Sequence, residues 1–178
     1  LVSINTLVDI VEDIAGAWSS DQELAGPILV VPFTEKIEVR DEYITPSGEK
    51  KTTQRWESRQ RRAVMLPDEL KILGELTPEM RKRGIYEVQV YTADLVVSGA
   101  FRELEAAIAD LSDPDRLEAI DWSKAMVGFG VSDPRGIVSV DGFEFNGHRV
   151  QPRPGTGLGE IVERGFHVSV GDLMDGRL

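Results

Sequence analysis

Between Leu24 and Glu35 the chain reads LAGPILVVPFTE, a Gly-Pro corner that feeds a run of β-formers and closes on Pro-Phe-Thr-Glu. Gly26 frees the backbone for conformations that other residues resist, and Pro27 fixes the next φ and removes an N–H. A run of β-formers bounded by such punctuation reads as a strand. Alternation at period two carries the expected strand from Ile28 to Arg40, and Pro32 within it argues for an edge position or a bulge, where a missing N–H does no harm.

The periodicity differs upstream. Ile4, Leu7, Val8, Val11, Ile14, Ala15 and Trp18 recur at steps of three and four, which predicts an amphipathic helix over residues 3–20. Downstream, Thr45-Pro46-Ser47-Gly48 is a turn, so residues 52–66 are expected to return as the partner of a long hairpin. Leu70, Ile72 and Leu76 alternate. Thr77-Pro78-Glu79 then has the look of a helix cap and first turn, predicting a short helix up to Gly84. Strands are expected over residues 85–91, 94–101, 126–131, 136–140, 148–151 and 165–170. Leu104, Ala107, Ile108 and Leu111 are spaced for a helix, and Asn146-Gly147 for a hairpin turn. The fold class expected is α+β, mainly antiparallel strands with the N-terminal helix and one or two short helices.

Charge and composition exclude whole classes of function. Twenty basic against thirty-one acidic residues leave a net charge of −11, which repels phosphate backbones and anionic lipid surfaces at long range, so nucleic acid is not an expected partner. The absence of cysteine removes disulfides, thiolate zinc sites and cysteine nucleophiles. No run approaches the roughly 20 apolar residues that span a bilayer. From Leu1 to Glu35 there is no Lys or Arg, while Asp9, Glu12, Asp13, Asp21, Glu23 and Glu35 are present. Cytoplasmic flanks of membrane spans are rich in Lys and Arg, so this flank suits the outer side of a membrane.

LAGPILVVPFTE is followed, in order, by LPDEL at Leu66, RGIYEVQVYTADL at Arg83, VSDPRGI at Val131 and PGTGL at Pro154. On these motifs the chain resembles the CreD family of bacterial inner-membrane proteins, over most of its length. The resemblance implies a role in cell-envelope integrity and a position on the periplasmic side, after a first transmembrane helix. It implies that residues 1–23 are a helix following an absent membrane segment, and that residues 24–178 are a β-rich extracytoplasmic domain cut short at its C-terminus. It supplies no reaction, ligand or cofactor.

The residues themselves offer few candidates. Gly155-Thr156-Gly157-Leu158-Gly159 lacks both the GxGxxG spacing and the Lys-Ser/Thr of a phosphate loop, so it reads as a structural loop. His148 and His167 stand apart in expected strands without further ligands at metal spacing, and no metal or other cofactor is expected. In VSDPRGI, Asp133 suits an Asx-turn, while Arg135 carries a charge that the turn does not need, which makes the pair a candidate binding site. Arg55, Arg59 and Arg61 fall with Glu57 on one face of the expected strand, with Trp56 on the other. That face is either a charged edge guarding against strand pairing or a patch for an anionic envelope component. The leading expectation is a non-enzymatic envelope protein with a protein or lipid partner and possible self-association. A ligand sensor signalling through the N-terminal helix, and an Asp/Glu-dependent hydrolase of an envelope polymer, are the alternatives.

Overall fold

The computed structural model describes residues 22–174 apart from 84, 138, 139, 141 and 160, and the side chains of 83 and 136 are likewise left aside. Its elements are β1 (Leu24–Ile44), β2 (Lys50–Met65), β3 (Glu69–Arg83), β4 (Tyr86–Ala100), α1 (Leu104–Asp110), β5 (Leu117–Ile120) and β6 (Met126–Val131). There follow β7 (Glu144–Phe145), β8 (His148–Arg149), β9 (Arg153–Pro154) and β10 (Gly165–Ser169), with 3-10 turns at Trp122–Lys124, Pro134–Gly136 and Gly171–Leu173.

β1 organises the main sheet, whose order is β2-β1-β6-β10-β9 with β5 added beside β1. Its apolar run is covered on both faces, which explains why the run does not alternate with polar residues. Leu29, Val31 and Phe33 enter the main core with Ala63, Val127, Phe129, Val168, Val170, Met174 and the α1 residues Leu104 and Ile108. Ile28 and Val30 face the other way, against Leu158 and its neighbours Met126 and Val162. Phe129, Phe166 and Phe143 extend the core. The first two stack with centroids 5.2 Å apart, and Phe143 meets Phe129 edge-on at 5.1 Å.

The Gly-Pro corner is a bulge. Gly26 has φ +112, a Cβ there would lie 2.8 Å from the Gly128 carbonyl oxygen, and the β1–β6 register shifts between Ala25 and Ile28. Pro32 lies in a central strand and not at an edge. It falls where β1 changes neighbours, after the last β6 pair at Val30 and before the first β5 pair at Phe33, so its missing N–H interrupts no ladder.

The expected α+β class is not what the chain forms. Among the described residues the architecture is antiparallel β with a single α-helix, because the long segments pair with their sequence neighbours. The N-terminal amphipathic helix expected over residues 3–20 lies outside the described residues. The turn of helix expected at Thr77-Pro78-Glu79 is absent. Those residues belong to β3, with Thr77 opposite Thr92 and Pro78 opposite Tyr91. A two-stranded ribbon is all edge, so Pro78 is tolerated there, and the cap-like sequence is overruled by a fifteen-residue ladder. Strands expected over 85–91 and 94–101 are one strand, β4. Pro134–Gly136 forms a 3-10 turn at the start of the expected 136–140 strand.

β3 and β4 stand clear of the sheet. Their base is pinned: Asp68 N–H donates to Ala100 O at 2.8 Å, Arg102 N–H to Asp68 Oδ2 at 2.7 Å, and Val97 packs on the core. Along the ribbon the register puts Leu70, Ile72, Leu76, Pro78, Met80, Tyr91, Ala93, Leu95 and Val97 on one face, with Lys82, Glu87 and Gln89 on it toward the free end. Lys71, Glu75, Thr77, Glu79, Thr92 and Asp94 share the other with a few apolar side chains. A half-buried sheet shows this pattern, yet Leu76 is 64% exposed and Tyr91 59%.

Candidate functional site

The turn that ends β6 is built around Asp133, which is buried. Its Oδ1 accepts the Arg135 N–H at 3.0 Å, the Asx-turn expected from the sequence, with Pro134 at the first position of the 3-10 turn. The Arg135 side chain does not point away from this turn. Its Nε donates to Oδ1 at 2.9 Å and its Nη2 to Oδ2 at 2.6 Å, a two-pronged, charge-assisted clamp that raises the guanidinium pKa through hydrogen bonding and charge. The side chain remains 72% exposed, so the outer side of a fixed, charged guanidinium is presented to solvent.

Beside the turn lies an open cavity of about 320 Å³ lined by Glu23, Ala25, Gly130, Val131, Ser132, Val162, Glu163 and Arg164. Ser132 closes one wall. Its Oγ accepts the Glu23 N–H at 2.9 Å and its own N–H donates to Glu23 O at 3.1 Å, tying the entry of β1 to the exit of β6. The PGTGL loop forms a different wall of the molecule. Thr156 is buried, its hydroxyl donating to Val162 O at 2.5 Å and accepting the Leu158 N–H at 3.0 Å, so the loop closes on itself. The Thr156 hydroxyl is thereby satisfied between residues 156 and 162, and Leu158 packs under β1.

Arg55, Arg59 and Arg61 lie on β2 opposite Val39, Glu35 and Phe33. Their face is therefore the continuation of the face that carries Val31 and Phe33 into the core, and not an outer face. All three are exposed, and their roles differ along the strand. Arg55 pairs with Glu57 at 2.9 Å and lies 3.5 Å from Asp41. Arg61 lies over the Phe33 ring at 5.8 Å and binds Glu35 at 3.1 Å. Trp56, on the opposite face, is 58% exposed with the Arg116 guanidinium 5.6 Å from its ring.

Glu35, the last residue of the opening motif, has a role the sequence did not disclose. It is buried, and its carboxylate accepts the Ser112 hydroxyl at 2.8 Å and Arg61 Nη1 at 3.1 Å, joining β1, β2 and the segment after α1. The Ser112 bond foremost, then Arg61 and the charge of Arg59, lower its pKa below the ordinary 4.5, against a desolvation that works the other way. A carboxyl whose folded pKa is depressed stabilises the fold fully above its unfolded value and loses that contribution as pH falls through the folded one. Acid titration of stability should therefore fall below about pH 4.5, and Glu35→Gln should flatten that limb. Superimposable pH profiles of the two proteins, by denaturant midpoint, would contradict this role.

His148 and His167 serve the backbone. Their Nδ1 atoms bond Asn146 O and Gly155 O, and no group of metal-ligating side chains converges among the described residues. The two candidate sites are separate: Asp133 and Arg135 sit beyond β6, while the arginine stretch lies on β2. Neither includes the uncovered apolar face of β3–β4. Its signal was the spacing Leu70, Ile72, Leu76 and Met80, interrupted by Gly74 and Pro78.

Comparison with known proteins agrees with this organisation of motifs. A family model described as inner membrane protein CreD matches residues 5–177. The chain is 31% identical over 160 residues to the inner membrane protein CreD of Escherichia coli (strain K12), covering 90% of this chain and 32% of that protein. It thus spans about a third of the length of this curated relative. No solved structure matches, and no helix among the described residues is long and apolar enough to cross a membrane.

Proposed function

Because the chain belongs to the CreD family of inner membrane proteins, we propose that this segment stands on the extracytoplasmic side and acts in the envelope by non-covalent docking, without catalysing a reaction. The observation that carries this reading is the apolar face of β3–β4. A ribbon anchored at one end by the core presents Leu70, Ile72, Leu76, Met80, Tyr91 and Leu95, each about half exposed or more. A contiguous apolar patch of this kind marks an interaction surface. The disposition of carboxylates supports the same reading. Glu35 and Asp133, the buried ones among the described residues, each face a guanidinium, and the pKa of Glu35 is moved away from the range a general acid needs. The side of the membrane is supported by the acidic, Lys- and Arg-free flank up to Glu35.

These 178 residues carry no cysteine, so a single one introduced here, with any cysteine elsewhere in the full-length protein replaced, gives a direct test. Ser47→Cys, at the turn between β1 and β2, should react in intact cells with a membrane-impermeant maleimide when placed in the full-length protein. Labelling only after lysis would put the segment on the cytoplasmic side. In isolated membranes Leu76→Cys should be protected from the reagent while Thr77→Cys, on the opposite face, is labelled quickly. Equal labelling of the two would remove the docking surface.

A further inference from the structure

The main sheet ends in β2, which has one neighbour among the described residues, β1. An open edge leaves a row of backbone N–H and C=O groups that can template another strand, and proteins blunt it with short strands, proline, bulges, covering segments or charge. β2 is sixteen residues long, contains no proline and keeps register with β1 from end to end. Every residue from Lys50 to Arg62 is exposed, so no described segment encloses this stretch. Charge is the remaining device. Lys50 to Arg62 holds six of the chain's twenty basic residues and one of its thirty-one acidic ones, Glu57. Part of that charge is committed, Arg55 to Glu57 and Arg61 to Glu35. Lys50, Lys51 and Arg59 enter no hydrogen bond or ion pair among the described residues.

We propose that the outer edge of β2 is a strand-addition site for an extended, acidic polypeptide segment, whose backbone continues the ladder while its carboxylates meet Lys50, Lys51 and Arg59. The single sign of the charge selects the occupant. Two β2 strands pairing edge to edge would set Lys and Arg against Lys and Arg, since Glu57 is the one carboxylate in the stretch, and like charges directly opposite are destabilising. The other long edges of a second copy are poor matches. β3 carries Lys71, Arg81 and Lys82 among its carboxylates, and β4 has only Glu87 and Asp94 in fifteen residues. A lipid surface would meet the charge and leave the backbone edge unused. An acidic strand uses both. Alternation places Lys51 and Arg59 on one face of β2 and Lys50 on the other, so carboxylates at every second position of an added strand line up with the first two. This surface lies on a different strand from the β3–β4 face and stands or falls independently of it.

The anisotropy of a short fluorescein-labelled peptide in which Glu alternates with Val should rise on adding this chain and fall again with salt, because the attraction is screened. Hydrogen exchange of the β2 amides between Thr52 and Gln60 should slow on binding, since strand addition places the outward N–H groups in hydrogen bonds. Lys50→Gln, Lys51→Gln and Arg59→Gln together should weaken binding about fivefold or more, because they remove opposite-charge cross-strand pairs. If Arg59→Gln lowers the melt, Lys50→Gln with Lys51→Gln, at the end of the strand far from the core, keeps the comparison. No rise with the Glu-containing peptide, equal binding of a peptide in which Lys alternates with Val, binding that leaves β2 exchange unchanged, or indifference to the substitutions would overturn the proposal. So would protection of β2 by vesicles containing phosphatidylglycerol and not by the peptide, which identifies a lipid surface as the occupant. Protection that grows with protein concentration alone identifies a second copy and overturns it as well.

Discussion

Phe33→Ala is expected to destabilise the chain by about 3–5 kcal/mol, a large share of the 5–15 kcal/mol that holds a typical domain together. Phe33 is 1% exposed and packs from the central strand into the main core, so removing its ring opens a cavity that two rigid neighbours, β2 and β5, cannot close. The Arg61 guanidinium above the ring loses its support as well, and with it the orientation that lets it hold Glu35. For a domain of this size the melting temperature should fall by about 6–20 °C. Ile44→Ala, at the 68% exposed end of the same strand, should change stability by less than about 0.5 kcal/mol. If the two variants melted together, β1 would not be the strand around which the core is built.

How far such a core can be foreseen depends on whether the deciding interaction is local. The β1–β2 hairpin was legible because its signals are adjacent in sequence: period two, then Thr45-Pro46-Ser47-Gly48, then period two again, and the turn closes with Gly48 N–H on Thr45 O at 2.8 Å. The same holds for Asn146-Gly147, whose positive φ values of 50 and 75 are those of a two-residue hairpin turn. The Asx-turn at Asp133 was legible for the same reason, while the fate of Arg135 was not. A charge unused by the backbone looks available, yet the nearest carboxylate was its own turn residue. For Pro32 a local rule offered an edge or a bulge, and for Pro78 the first residue of a helix. The rule asks for an unpaired N–H position, and whether one exists is settled by which distant strands lie alongside: β5 and β6 for Pro32, β4 for Pro78. Glu35 is the extreme case. Its partners Ser112 and Arg61 lie 77 and 26 residues away in sequence, and nothing at its own position marks it as buried.

Gly165→Ala is expected to cost at least about 3 kcal/mol, from a strained backbone and a collision that no rotamer can relieve. Gly165 opens β10 with φ +145, a region that side chains rarely adopt, and it sits directly opposite Gly130 of β6. A Cβ there would lie 1.9 Å from the Phe129 carbonyl oxygen and 3.0 Å from the Gly130 Cα. Both obstacles are backbone, so β10 must move away from β6. That movement strains two further bonds at the same corner, Gly155 N–H to Gly165 O at 2.9 Å and Val131 N–H to Arg164 O at 3.0 Å. The first holds the PGTGL loop and the second forms part of the wall beside the Asp133–Arg135 turn, so the damage should spread from the sheet to the candidate site. Gly159→Ala provides the contrast. A Cβ at Gly159 meets nothing within 4 Å, and its φ is not in the left-handed range, so its effect should stay within about 0.5 kcal/mol. Urea unfolding of the two variants should separate them by midpoint with similar slopes. A Gly165→Ala protein as stable as Gly159→Ala would mean that β10 does not approach β6 this closely, and the outer half of the main sheet would have to be redrawn.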